Sequence, residues 1–142
     1  MRILLISILL LTSPLFMVSD SEKTNGLPDL TVYYVHVNST NFVVSAGIQN
    51  LGDVNVTTSV AFYDAFLLFG IIPLFERKIT TVEPLFIPEY GGAEIAIVWE
   101  SPYFEHPILN HRITVVADPG NVIEESDETN NWRSVDVYIP IW

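Results

Sequence analysis

The chain predicts an all-β fold, an antiparallel β-sandwich of about seven strands. Three observations carry this. Apolar residues recur with period two in several separate runs, the mark of half-buried strands. Nine Pro and seven Gly punctuate those runs at short intervals. No window of helical length shows an apolar stripe of period 3.6. Short strands separated by turn signals close as two packed layers.

The strands follow in order. Leu30 to Val37 is rich in β-branched and aromatic residues. Phe42 to Gln49 places Val44, Ala46 and Ile48 on one face, and Asn50-Leu51-Gly52-Asp53 supplies turn residues. Val54 to Asp64 resumes with Val56, Thr58, Val60 and Phe62 on one face. Further along, Ala93, Ile95, Ile97 and Trp99 point one way while Glu94 and Glu100 point the other. His111 to Ala117 turns Ile113, Val115 and Ala117 inward, and Trp132 to Ile139 does the same with Val135, Val137 and Ile139. Trp99 is expected in the core, and Trp132 under the acidic loop that precedes it. There is no internal repeat and no sign of a second domain.

Ala65 to Phe75 does not alternate and contains no polar side chain. Gly70 and Pro73 exclude a continuous helix through it. It reads either as an edge strand and turn folded over the open end of the core, or as an exposed apolar patch. In the second case Phe66, Leu68, Phe69 and Ile71 are the candidate contact residues for a partner, a neighbouring copy or a membrane surface.

The chain opens with Met1-Arg2, an apolar run from Ile3 to Leu11, Pro14 and small Ser19. This is the order of a secretory signal, with a cut expected near Ser19 or Ser21. The apolar run is shorter than the roughly 20 residues a bilayer span needs. The expected organisation is a signal over 1–19, a flexible lead-in over 20–26 and one domain over 27–142; an uncleaved anchor is the alternative. Six basic residues face seventeen acidic ones, a net charge of −11, and loss of Arg2 with the signal takes it to −12. Such a charge repels nucleic acid and anionic lipid and attracts cations and basic partners. Cysteine is absent, which excludes disulfides and thiolate chemistry. Both methionines, Met1 and Met17, lie in the expected signal. Asn38-Ser39-Thr40 and Asn55-Val56-Thr57 match the N-glycosylation acceptor pattern.

Asp118 to Asn131 lies between the last two strands; five of its fourteen residues are acidic and three are Asn. It is expected on the surface. In one reading Asp118, Asn121, Glu125 and Asn130 bond to backbone groups that a long connection leaves open, and Ile123 plugs the loop onto the core. In the other, Asp118, Asn121, Glu125 and Glu128 gather a calcium ion through hard oxygen ligands. The spacing is not that of an EF-hand. His36, His106 and His111 lie in separate segments without zinc spacing. No Gly-x-Ser-x-Gly elbow and no phosphate-binding glycine loop occurs. No enzyme and no bound cofactor is expected, calcium apart.

Leu27-Pro28-Asp29-Leu30, Ile48-Gln49-Asn50-Leu51-Gly52 and Val60-Ala61-Phe62-Tyr63-Asp64 resemble three strand motifs of the CARDB family, the cell adhesion related domain of bacteria and archaea. Glu89-Tyr90-Gly91-Gly92 resembles its turn, without the usual proline directly before Gly91. Asp118-Pro119, Asn121, Ile123, Glu125, Glu128 and Asn130-Asn131 are similar to its most specific motif. The resemblance runs from about Leu27 to Ile139. It implies an immunoglobulin-like sandwich, placement outside the cell, a role in adhesion or surface binding, and no catalysis. The expected function is a secreted or surface-held binding module for an extracellular protein or carbohydrate. A structural subunit of an extracellular assembly that pairs with copies of itself through strand-edge and apolar-patch contacts, or an accessory module of a secreted enzyme, is the alternative. No nucleic-acid partner is expected, and no membrane span once the signal is removed.

Overall fold

The computed structural model describes residues 7–9, 26–100 and 110–139. Eight strands occur among them: β1 (Ser7–Leu9), β2 (Leu30–Asn38), β3 (Val43–Asn50), β4 (Val56–Leu68), β5 (Ile72–Ile87), β6 (Gly92–Val98), β7 (Asn110–Ala117) and β8 (Trp132–Tyr138). They form two antiparallel sheets, one in the order β1-β6-β3-β2 and the other β5-β4-β7-β8. No helix occurs among the described residues, so none there is long and apolar enough to cross a membrane. Strands β2 to β8 build the immunoglobulin-like sandwich the sequence implies, with the chain crossing between sheets after β3, β5 and β6.

The period-two faces meet in the middle. Val44, Ala46 and Ile48 from β3 and Ile95 and Ile97 from β6 face Val60 and Phe62 from β4 and Ile113 and Val115 from β7, all buried. Trp99 and Phe62 are the bulkiest fully buried side chains. Burying one large apolar side chain is worth about 1.5–3 kcal/mol, so a chain without disulfides holds together on this layer. Among the described residues the buried core runs from Leu30 to Val137. Ile123, Val135 and Ile139 pack half-buried against it.

Strand β5 escaped the sequence pattern. Pro73, a cis peptide bond before Pro84 and the run Glu76-Arg77-Lys78 interrupt any alternation, and three register shifts break its ladder with β4. An edge strand tolerates all of these because one side of its backbone needs no partner. Trp132 departs from expectation. It is exposed on the second edge strand of the same sheet rather than lying under the acidic loop, because an outward position on β8 faces solvent. The expected signal and lead-in lie outside the described residues, save for Gly26 and for Ser7–Leu9, whose backbone pairs with Glu94 to Ala96 of β6.

Gly47 on β3 pairs with Tyr34 just past a bulge in β2. The Tyr33 and Tyr34 rings meet edge to face with centroids 5.0 Å apart, and a Cβ on Gly47 would lie 2.3 Å from the first and 2.4 Å from the second. Gly47→Ala must push both rings off the strand. A loss of about 1–3 kcal/mol is expected, read as a lowered melting temperature; an unchanged melt would show the rings move freely.

Candidate functional site

The acidic connection between β7 and β8 turns back into the protein. Asp118 opens it with φ 45° and Asn121 follows with φ 48°, both types that tolerate the left-handed region. Asp118 Oδ2 accepts the Ile123 N–H at 2.8 Å, which holds the loop as Ile123 enters the core edge. Glu125 then reaches inward. Its Oε2 accepts the Leu30 N–H at 2.5 Å and its Oε1 accepts from Asn131 Nδ2 at 2.6 Å. Glu128 Oε1 accepts the Glu125 N–H, and Asn130 Nδ2 donates to Asp29 Oδ1. Ser126 N–H to Pro28 O and Val32 N–H to Asn130 O complete the stitching. The connection is therefore a strap along the β2 edge, which would otherwise offer unpaired backbone.

A loop of this charge was expected wholly on the surface, yet Asp118, Glu125 and Asn131 are buried. They are admitted because Asp118 and Glu125 accept N–H groups inside and Asn131 donates its amide to Glu125. Burial pushes the Glu125 carboxyl up from 4.5 to about 7, against the pull of its two donors and with help from Glu128 and Asp118. Of the four residues weighed as calcium ligands, Asp118, Glu125 and Glu128 each give at least one oxygen to an N–H of the protein, and Asn121 donates its backbone N–H to Asp118 O. Among the described residues no three His, Asp or Glu side chains lie close enough to hold a metal ion.

Three residues not foreseen as a group meet at the opposite end of the sandwich. Asp64 ends the inward face of β4, His111 begins that of β7, and Trp99 follows β6. Trp99 Nε1 donates to Asp64 Oδ2 at 3.0 Å, and His111 Nδ1 lies 2.8 Å from Asp64 Oδ1. All three are buried, and the Trp99 and His111 rings stand edge to face at 5.0 Å. The arrangement joins the two sheets through a shared carboxylate. His36 is exposed and far along the chain from this group, and His106 lies outside the described residues.

The apolar segment resolves into the β4–β5 hairpin. Leu67 is buried and Phe66 and Leu68 are half-buried, so these three belong to the sandwich. Phe69 and Ile71 stand out instead, at 85% and 74% exposure, joined by Phe75 at 78% and Ile72 at 52%. The segment does not fold over the core; it extends the hairpin. Of the four residues expected as contacts, two are displayed, and Ile72 and Phe75 join them. Asn38 and Asn55 are both exposed.

A two-layer antiparallel β domain with one strapped edge and one displayed apolar turn belongs to the class of immunoglobulin-like sandwiches. The family model of CARDB matches residues 27–135, and the chain belongs to that family of non-catalytic domains. A crystal structure of a CARDB domain from Pyrococcus furiosus, described as a complex with di-metal ions, is similar at 20% identity and TM-score 0.57, covering 82% of this chain and 97% of that one. A solution structure of the same domain matches at 21% identity and TM-score 0.57, covering 80% and 96%. A β-glucosidase 3B from Thermotoga neapolitana matches at 10% identity and TM-score 0.50, over 80% of this chain and 16% of that chain. At these identities the likeness is one of fold. No curated protein matches the chain.

Proposed function

We propose that the chain is a secreted or surface-held, non-catalytic binding module whose contact surface is the β4–β5 turn. The observation that carries this is the display of Phe69, Ile71, Ile72 and Phe75 within seven consecutive residues of one hairpin, whereas other exposed apolar residues such as Tyr90, Val122 and Trp132 lie on separate segments. A monomer gains nothing from holding four such side chains in water. Support also comes from the secretory order of the first residues, the net charge of −11 and the family's adhesion-related name. The test is a C-terminally tagged chain in cells that make it, treated with external protease. Loss of the tag from intact cells is the expected result; a tag protected until lysis would end the surface reading.

A second reading is an assembly subunit. It rests on β6, whose register with β3 is unbroken and whose residues Gly92 to Val98 include no Pro, Lys or Arg. That edge takes Ser7–Leu9 as an added antiparallel strand. Edges so unguarded accept strands from other chains. Light scattering decides between the readings: a monomer at micromolar concentration favours the binding module, and stable oligomers favour the subunit.

Calcium at the strap has its own readout. An ion held only by the folded domain at a hundredfold excess over its dissociation constant adds about 2.7 kcal/mol. A melting temperature unmoved by millimolar calcium means the strap's oxygens keep their N–H donors.

A further inference from the structure

The β4–β5 turn holds its two aromatics where aromatics do not settle by preference. Leu68 to Ile71 closes the hairpin with the Ile71 N–H donating to Leu68 O at 3.2 Å, and both central residues have positive φ, Phe69 at 54° and Gly70 at 72°. That is the φ signature of a two-residue hairpin turn whose first position favours Asn, Asp or Gly. Phe75 repeats the situation. Ala65 pairs with Glu76 and Phe66 with Leu74, so Phe75 is the extra residue of a bulge, with φ 50°. A bulky residue at positive φ is strained, and bulges re-aim side chains. Both rings are largely exposed, so packing does little to repay the strain. Strain of this kind is kept where it serves a site.

The composition and charge of the turn say what it meets. From Ala65 to Phe75 no side chain is polar. Directly behind it, exposed on β5, come Glu76, Arg77 and Lys78, one acid and two of the six basic residues of the chain, a net positive charge in a chain that is otherwise strongly acidic. Lys78 Nζ stands 5.9 Å from the centroid of the Tyr63 ring and Arg77 donates to the Glu100 carbonyl, so both charges are held at the base of the hairpin. An apolar tip backed by cations matches a lipid surface, with rings and branched chains entering the acyl boundary and the cations meeting headgroup phosphates. The remaining surface, strongly acidic, is turned away from such a boundary by its own charge.

We infer that the β4–β5 turn inserts Phe69, Ile71, Ile72 and Phe75 into the outer face of a lipid bilayer, with Arg77 and Lys78 at the phosphate level. This rests on the surface reading above and names the partner of that same turn.

The test uses the whole chain and vesicles of phosphatidylcholine with and without phosphatidylglycerol. Phe69→Trp places an indole at the tip. Its fluorescence, after subtraction of the wild-type signal, is expected to shift blue and to be quenched by lipids brominated on their acyl chains. An indole that stays unquenched with vesicles present overturns the inference, whatever the apolar start of the chain does with lipid. Phe69→Asn together with Phe75→Gly suits the positive φ at both sites, so the fold should melt no lower than wild type while vesicle affinity drops at least tenfold. A lowered melt would make the rings packing groups and overturn the proposal. A wild-type dimer without lipid, dissociated by the same pair of substitutions, would assign the turn to a second copy and overturn it too. Protease access on intact cells separates the two readings: a protected tag fails the surface reading, whereas an accessible tag with an unquenched indole fails only this one.

Discussion

Asp64→Ala is expected to destabilise the domain by about 3–5 kcal/mol, the range for removing one member of a buried polar or ionic group. Asp64 is buried, its two oxygens serve Trp99 Nε1 and His111 Nδ1, and the Arg77 guanidinium stands 4.0 Å away at the surface side. Alanine removes the shared acceptor and leaves space beside the largest buried ring. Since a domain of this size is stable by only about 5–15 kcal/mol, the variant should unfold at a fraction of the urea that wild type needs. Asp64→Asn keeps one carbonyl oxygen and the volume, so its loss should be smaller. Equal midpoints for wild type and alanine variant would mean the carboxylate contributes no net stability.

The second large effect is a pH dependence set by Glu125. Its carboxyl is raised in the folded state from 4.5 to about 7. The folded protein therefore binds the proton more tightly than the unfolded chain does. The stability this contributes is complete below about pH 4.5 and is lost as pH rises through about 7. The rise corresponds to about 3 kcal/mol at most. Asp127, held low by Thr129, and Asp136, held low by Arg112, carry the opposite sign but act below this window. A melting temperature falling from pH 5 to pH 8 is expected, and Glu125→Gln should flatten that slope and match or exceed wild type at pH 8. The amide fits because Asn131 Oδ1 is buried without a partner, so a turned Asn131 amide would accept from glutamine Nε2. Parallel pH profiles for the two proteins would rule Glu125 out as the source.

Much of this was legible in advance. Alternation alone put Val44, Ala46, Ile48, Val60, Phe62, Ile113 and Val115 in the core, where all are buried. The same rule already placed Trp99 inward, and one step further along β4 and β7 it points to Asp64 and His111. Asp64 continues the series Val60, Phe62; His111 precedes Ile113, Val115; and Trp99 ends Ile95, Ile97. For Asp64 and His111 polarity argued outward and periodicity inward, and periodicity won because they pair with each other and Asp64 also accepts from Trp99 Nε1. Strand β5 was hidden because an edge strand need not alternate. The acidic strap was half legible: its hydrogen-bonding residues and the Ile123 plug could be read from residue types. The entry of Glu125 could not, because its partner, the Leu30 N–H, lies 95 residues away. At the β4–β5 turn composition showed an apolar run, but only backbone φ showed which rings are presented.

The strap also fixes how the domain answers a pull. Its links to β2 advance in the same direction on both chains, from Ser126 on Pro28 through Asn130 on Val32 to Arg133 on the Tyr33 carbonyl. The first strand of the sandwich thus runs alongside the strap and the start of the last, pointing the same way. Tension between Leu30 and Tyr138 loads those links together, in shear, rather than opening them one after another like a zipper. A tether between two surfaces would hold until several gave way at once.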